Sequence, residues 1–287
     1  MKTRLLSLFL ISSCFLHAAA RAEGEAPAAT SAPAAPAATP EHTFTGNVGF
    51  VSDYRFRGIS QTWKRPAVQA GFDYSHSSGL YAGTWASNVS GNSYNNGAGM
   101  EWDLYGGYKL PLTDAVTLDL GALAYVYPAA RLNAAPGQPT ANKYDNVDVY
   151  AAVTAGAFSA KLSVAATDYF GLDGETAGYA YFSALPAKGS SKGTAYLDLN
   201  YGFELGQGFN AGVHVGHLWV RQYGDLSYTD WKLSVSKELK DLGGLTLALA
   251  VVGTDADKAL YQAGDSAGAR AKRLGDTGVV LSVSKTF

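Results

Sequence analysis

The chain has 287 residues, 47% of them hydrophobic and only 16% charged, with 33 glycines, 18 tyrosines and one cysteine. No run of eighteen apolar residues occurs, which excludes a transmembrane helix. A formal net charge of −2 argues against nucleic acid as a partner, and a single cysteine allows no intrachain disulfide.

Residues 1–22 read as an export signal: Lys2 and Arg4 are followed by the apolar run from Leu5 to Leu16 and by the small-x-small site Ala20-Arg21-Ala22. Ile11-Ser12-Ser13-Cys14 also resembles a lipoprotein processing box, so two cuts are open; the apolar run that continues past Cys14 favours the one near Ala22. That cut removes Cys14 and three of the 22 basic residues, leaving 19 against 24 acidic ones. Residues 23–43 are Ala/Pro-rich and nearly free of large apolar side chains. They cannot bury enough surface to offset ordering and are expected to form a disordered linker.

Twelve segments alternate with a period of two and are expected to be strands: 44–56, 66–75, 79–89, 100–109, 115–127, 146–155, 158–169, 193–203, 209–220, 227–237, 245–254 and 278–287. Their length suits a tilted membrane-crossing strand, and an even count brings both ends of a closed barrel to one side. Short connections alternate with long ones. The short ones lie at His76 to Ser78, Leu110 to Asp114, Gly156-Ala157, Glu204 to Gly208 and Glu238 to Gly244. The long ones include 128–145, 170–192 and 255–277. This is the arrangement of short periplasmic turns and long extracellular loops.

The faces agree with that arrangement. In the first segment Phe44, Val48, Phe50, Tyr54 and Phe56 oppose Thr45, Asn47, Asp53, Arg55 and Arg57; in the eighth, Leu197, Leu199, Tyr201 and Phe203 oppose Asp198, Asn200 and Gly202. In the third, Tyr81, Trp85 and Val89 compete with Leu80, Ala82 and Ala86 for the apolar face. A soluble barrel inverts the faces, and periodicity alone does not separate the two cases. Strand number, loop alternation and the export signal favour the membrane form. Aromatic residues cluster near segment ends and are expected to form two interfacial girdles: Tyr54, Phe56, Trp102, Tyr125, Tyr127, Tyr169, Trp219, Tyr228 and Trp231 toward the long loops, and Phe72, Tyr74, Tyr108, Phe158, Tyr201, Phe203, Phe209 and Phe287 toward the short turns. The last strand ends on Phe287, a closing-strand pattern that barrel-assembly machinery would engage, although Lys285 departs from an alternating aromatic ending.

The stretch Ser52-Asp53-Tyr54-Arg55-Phe56-Arg57-Gly58-Ile59-Ser60, the blocks 66–74 and 78–89, and Glu101-Trp102-Asp103-Leu104-Tyr105-Gly106-Gly107-Tyr108 resemble the TorF-type porin family of proteobacteria. The match is strong over the first three to four strands; the rest agrees in layout. The resemblance implies an outer-membrane β-barrel and a channel, with no defined substrate and no catalytic residues to carry over.

Strand parity places Asp53, Arg55, Arg57, Gln69, Asp73, Glu101, Asp103, Asp119, Asp148, Lys161, Asp198, Asn200, Asp230 and Lys232 on the inner face as pore-lining candidates. A charge on the lipid face at mid-membrane costs about 2–4 kcal/mol. The acidic excess predicts a weak cation preference for small hydrophilic solutes or ions. The same charges could instead pair and plug the lumen, Arg55 and Arg57 with Asp53, Glu101 and Asp103. An enzyme reading has little to build on. His42 falls in the linker and His76 in a turn, and His214 and His217 have opposite parity. Asp255-x-Asp257 lacks the partners of a calcium loop, so no metal or other cofactor is expected. A third reading is a barrel acting as a surface receptor or structural protein through its loops. There Lys258, Arg270, Lys272 and Arg273 could meet lipopolysaccharide phosphates, or simply be solvated.

Overall fold

The computed structural model describes residues 40–93, 98–128, 130, 143–176, 185–264 and 270–287. The expected signal peptide and most of the expected linker lie outside these residues, as do parts of the long loops. The strands are β1 (His42–Val51), β2 (Arg55–Phe56), β3 (Ile59–Ser60), β4 (Ala67–His76), β5 (Leu80–Asn88), β6 (Met100–Thr113), β7 (Val116–Val126), β8 (Asn146–Ala155), β9 (Phe158–Ala165), β10 (Ala195–Gly206), β11 (Phe209–Trp219), β12 (Tyr228–Leu239), β13 (Leu245–Thr254), β14 (Gln262–Gly264), β15 (Ala271–Arg273) and β16 (Gly278–Thr286). Twelve of them close into one antiparallel barrel in sequence order, sealed where β1 pairs with β16. β2–β3 and β14–β15 are separate small hairpins. No described helix is long and apolar enough to cross a membrane, which says nothing about crossing by strands.

Period-two alternation sorts the side chains, because successive Cβ atoms point to opposite faces of a strand. On β10, Tyr196, Asp198 and Asn200 are buried inside the barrel while Tyr201, Phe203 and Leu205 stand exposed outside. Phe44, Phe50, Phe72, Leu104, Leu120, Leu162, Val215, Leu233, Leu249 and Leu281 continue that exposed apolar surface around the wall. β5 resolves the ambiguous segment: Leu80 and Ala82 face outward, Tyr81 and Trp85 inward.

Several boundaries differ from expectation, each for a local reason. β1 begins at His42 and stops at Val51, opposite Ala67, the first residue of β4. Pro66 has no N–H to extend that ladder. Residues 52–66 then turn into the barrel, so Asp53, Arg55 and Arg57 are not on a wall strand. β6 continues to Thr113 through Pro111, with a register shift between the two; an irregularity of this kind is where a sheet tolerates proline. β9 ends at Ala165 and is followed by a 3-10 turn, Tyr169–Gly171.

Of the two expected aromatic girdles, the short-turn one faces outward: Phe72, Tyr108, Phe158, Tyr201, Phe203, Phe209 and Phe287 are all exposed. The long-loop set divides. Trp102 and Trp219 are exposed, whereas Tyr54, Phe56, Tyr125, Tyr127 and Tyr228 are buried in the apolar cluster that fills the long-loop half of the interior.

Candidate functional site in the barrel interior

The segment 52–66 organises the long-loop half of the lumen. Phe56 pairs with Ile59 across the two-residue turn Arg57-Gly58. Both turn residues have positive φ, 47° and 78°, the geometry of a tight hairpin whose twist matches its strands. Gly58 is required twice over, since a Cβ there would lie 2.4 Å from Thr254 Cγ2 and 2.8 Å from Asp230 Cβ. The hairpin tip therefore seats directly on the β12–β13 wall.

Arg57 bridges this tip to three further elements. Its Nη2 donates to Asp148 Oδ2 on β8 at 2.7 Å, and its Nη1 to the Tyr169 hydroxyl at 3.1 Å. The guanidinium lies 4.3 Å from the Tyr196 ring centroid on β10, and the Tyr228 hydroxyl donates to the Arg57 carbonyl at 2.9 Å. Arg55 donates to Asp53 at 2.6 Å and to the carbonyls of Gly58, Leu274 and Asp276. Asp53 also accepts from the Ser60 hydroxyl at 2.5 Å. Trp63 Nε1 donates to the Ala263 carbonyl at 2.9 Å, and Lys272 Nζ donates to the Trp63 carbonyl at 3.0 Å. The last long loop thus straps the inserted segment. Lys64 sits beside it, and burial together with the nearby Arg55 charge pulls its ammonium below the ordinary lysine range.

The arginines and acids do pair, Arg55 with Asp53 as the sequence allowed, but Arg57 with an acid outside the expected set. Arg57 takes Asp148 rather than Glu101 or Asp103. Glu101 accepts from the Tyr54 and Tyr127 hydroxyls, each at 2.8 Å. Asp103, two residues along, is buried, and its Oδ1 has no hydrogen-bond partner among the described residues. An aromatic cavity of about 70 Å³ lies against the hairpin, lined by Phe56, Ile59, Tyr127, Phe170, Leu218 and Tyr261 among others.

A second group occupies the β10–β12 wall. His214 Nδ1 lies 3.0 Å from Asp198 Oδ1 and its Nε2 2.8 Å from Asp230 Oδ1, so each ring nitrogen faces a carboxylate. Tyr196 donates to Asp230 at 2.9 Å, and Asn200 Nδ2 donates to Asp198 at 2.5 Å. Lys232 is the cross-strand neighbour of His214 and is half-buried. His217 faces elsewhere, with its Nδ1 near the Thr229 hydroxyl.

Toward the short turns the interior is polar and half-open. Tyr81 donates to Asp119 at 2.6 Å and also meets the Tyr150 hydroxyl; Tyr105 donates to Asp73 at 2.5 Å. Lys109 lies over Tyr81 and Lys161 over Tyr150. Each ring rests on a glycine of the adjacent strand: Tyr105 on Gly83, Tyr81 on Gly107 and Tyr150 on Gly121. A Cβ on those glycines would come within 2.4–2.5 Å of a tyrosine side-chain atom or a backbone oxygen, so glycine is what allows the tyrosines to lie across the wall. Gln69 is buried on β4 near Ser87. Of the fourteen candidates, eleven lie on wall strands, on the faces opposite the exposed apolar side chains, and Asp53, Arg55 and Arg57 lie on the inserted segment.

A further cluster escaped the sequence reading. Glu41, His42 and His76, assigned there to a linker and a turn, are brought together at the short-turn rim by the pairing of β1 with β4.

Among solved structures, the KdgM porin overlaps at 8% identity with a TM-score of 0.46, covering 85% of this chain and 99% of that one. The NanC porin gives 9%, 0.45, 85% and 98% in the same terms. OpdL of Pseudomonas aeruginosa gives 14%, 0.37, 85% and 67%. At such low identity and partial backbone overlap these likenesses assign no residue role and no solute. No curated protein matches the chain in sequence. Residues 34–287 match the profile of the family described as "Bacterial protein of unknown function (Gcw_chp)", and the chain belongs to that family.

Proposed function

We propose that this protein is an outer-membrane barrel of TorF porin type, a narrow channel for small hydrophilic solutes or ions whose outer mouth is constricted by residues 52–66. The observation that carries the reading is the sorting of side chains across one wall. Rings and aliphatic chains such as Phe72, Leu162 and Leu281 stand exposed outside, while Asp73, Asp119, Lys161, Asp198 and Lys232 face inside. A contiguous exposed apolar belt of this extent is costly in water and suits lipid. In this reading the signal is cut near Ala22, the short turns are periplasmic, and the exposed Phe287 at the end of β16 is what the assembly machinery engages. Outer-membrane lipid and lipopolysaccharide surround the wall. The acidic excess inside gives a weak preference for cations.

The inserted hairpin favours a second reading, a barrel closed at its mouth that acts as a receptor or structural protein through its long loops. An outer-membrane lipid hydrolase is the weaker alternative, because His214 is engaged by carboxylates, a phenol and an amide rather than by a hydroxyl nucleophile. Liposome swelling with a graded set of sugars and amino acids separates the first two readings. A channel gives slow, size-limited uptake that rises when residues 52–66 are replaced by a short Gly/Ser link. A plugged receptor gives none in the native chain, and a barrel that stays impermeable even without the segment ends the channel reading.

A further inference from the structure

The cluster at the short-turn rim has the makings of a binding site separate from the lumen. His42 opens β1 and is the direct cross-strand partner of His76, the last residue of β4. Their ring centroids are 5.1 Å apart. The Glu41 carbonyl accepts from the Ser77 N–H at 2.9 Å, carrying the ladder one step further and holding the Glu41 side chain beside the rings. Its Oε1 lies 3.4 Å from His76 Nε2. One ring nitrogen from each histidine and one Glu41 carboxylate oxygen all lie within 4.8 Å of one another.

Both imidazoles are also held from behind. The Tyr74 hydroxyl is 3.0 Å from His42 Nδ1, and the Ser78 hydroxyl is 2.8 Å from His76 Nδ1. An imidazole that gives its Nδ1–H to such an oxygen presents a free lone pair at Nε2, the arrangement by which metal-bound histidines fix tautomer and ring orientation. The Ser78 amide also reaches His76 Nδ1, at 3.1 Å. In the ion-free ring Nδ1 can accept from it while Nε2–H faces Glu41. Binding an ion at Nε2 moves the ring proton to Nδ1, where the Ser78 hydroxyl accepts it.

Two imidazoles and a carboxylate are the donors of borderline divalent ions; magnesium and calcium take oxygen ligands instead. We propose that Glu41, His42 and His76 bind a divalent transition-metal ion of the zinc type at the short-turn rim, with water completing its coordination. The ion would tie the start of β1 to the turn between β4 and β5.

The test uses untagged protein purified from membranes in detergent, stripped with a chelator and titrated calorimetrically with Zn²⁺, with Mg²⁺ as comparator. Expected are one Zn²⁺ per chain, binding at least about tenfold weaker in His42→Ala and in His76→Asn, and unchanged binding in His217→Ala. His76→Asn keeps a polar group at the turn, and heat-modifiable migration reports whether each variant is folded. Absence of Zn²⁺ binding in the native chain, equal binding in a folded His42→Ala/His76→Asn double variant, or equal affinity for Mg²⁺ overturns the assignment.

Discussion

Arg57→Ala probes the inserted segment at its anchor. The substitution leaves Asp148 buried with the Asn146 amide, at 2.7 Å, in place of a guanidinium. Removing one partner of a buried ion pair costs about 3–5 kcal/mol. That cost falls on the inserted state, because with the segment displaced Asp148 faces water. At about 1.4 kcal/mol per decade, the ratio of displaced to inserted segment rises by roughly two to three and a half orders of magnitude. Burial of Phe56, Ile59 and Trp63 opposes displacement at about 1.5–3 kcal/mol each, so the variant opens more often rather than standing open. Single-channel recording in planar bilayers should show this as a large rise in open probability at unchanged unit conductance. Asp148→Ala should act in the same direction, and the double variant should fall well short of the sum of the two. Arg57→Gly, which relieves the left-handed backbone by about 1 kcal/mol, should open less than Arg57→Ala. Recordings from folded Arg57→Ala and Asp148→Ala that match the native protein would refute the assignment of this segment as the closure.

Four other perturbations test the wall. Gly107→Ala puts a Cβ 2.4 Å from the Leu120 carbonyl and 2.5 Å from the Tyr81 hydroxyl, and should destabilise the barrel by about 1–3 kcal/mol in urea unfolding. Gly46→Ala, whose nearest atom is 3.9 Å away, should be close to neutral. Leu162→Arg places a charge on the outer apolar belt and should cost about 2–4 kcal/mol when the protein folds into lipid vesicles; a neutral result means that this face meets water. Asp73→Asn with Asp119→Asn should reduce cation preference, read as the reversal potential in a KCl gradient, and an unmoved potential removes these groups from the conducting path.

Much of the wall was legible in the sequence because period-two alternation is a local property. It sorted Leu197 from Asp198, and Leu120 from Asp119, without knowledge of any partner strand. The inserted segment was not, because Asp53 to Arg57 go on alternating whether or not a neighbour pairs with them. The available signal was the turn itself: Arg57-Gly58 between Phe56 and Ile59 is a two-residue hairpin pattern just past the end of the first expected strand. The long-loop aromatics were misplaced for a related reason. Ring chemistry is the same at an interface and in a packed interior, and it is the inserted segment together with Tyr144, Phe170 and Tyr261 that gives Tyr127 and Tyr228 something to pack against. The rim histidines are separated by 34 positions in sequence and needed the β1–β4 register to meet.

The backbone itself separates the wall from the closure. Positive φ at residues other than glycine is seen at Arg57, Trp63, Lys64, Phe170, Gln207 and Gln222 among the described residues, so half of these positions fall within 52–66. Each costs about 1–2 kcal/mol and persists only where surrounding contacts hold it. Here the contacts come from far elements: Asp148 on β8, Tyr228 on β12, and the carbonyls of Ala263 and Leu274 in the last long loop. None of the six lies within a wall strand, and the twelve wall strands close without pairing to β2 or β3. Strain concentrated in the inserted piece, offset by contacts that its withdrawal would release together, is the energetic layout of a cooperative closure. It predicts that loosening the strap at Trp63 or Lys272 and loosening the tip at Arg57 have the same functional effect, although they engage different elements, the last long loop and β8.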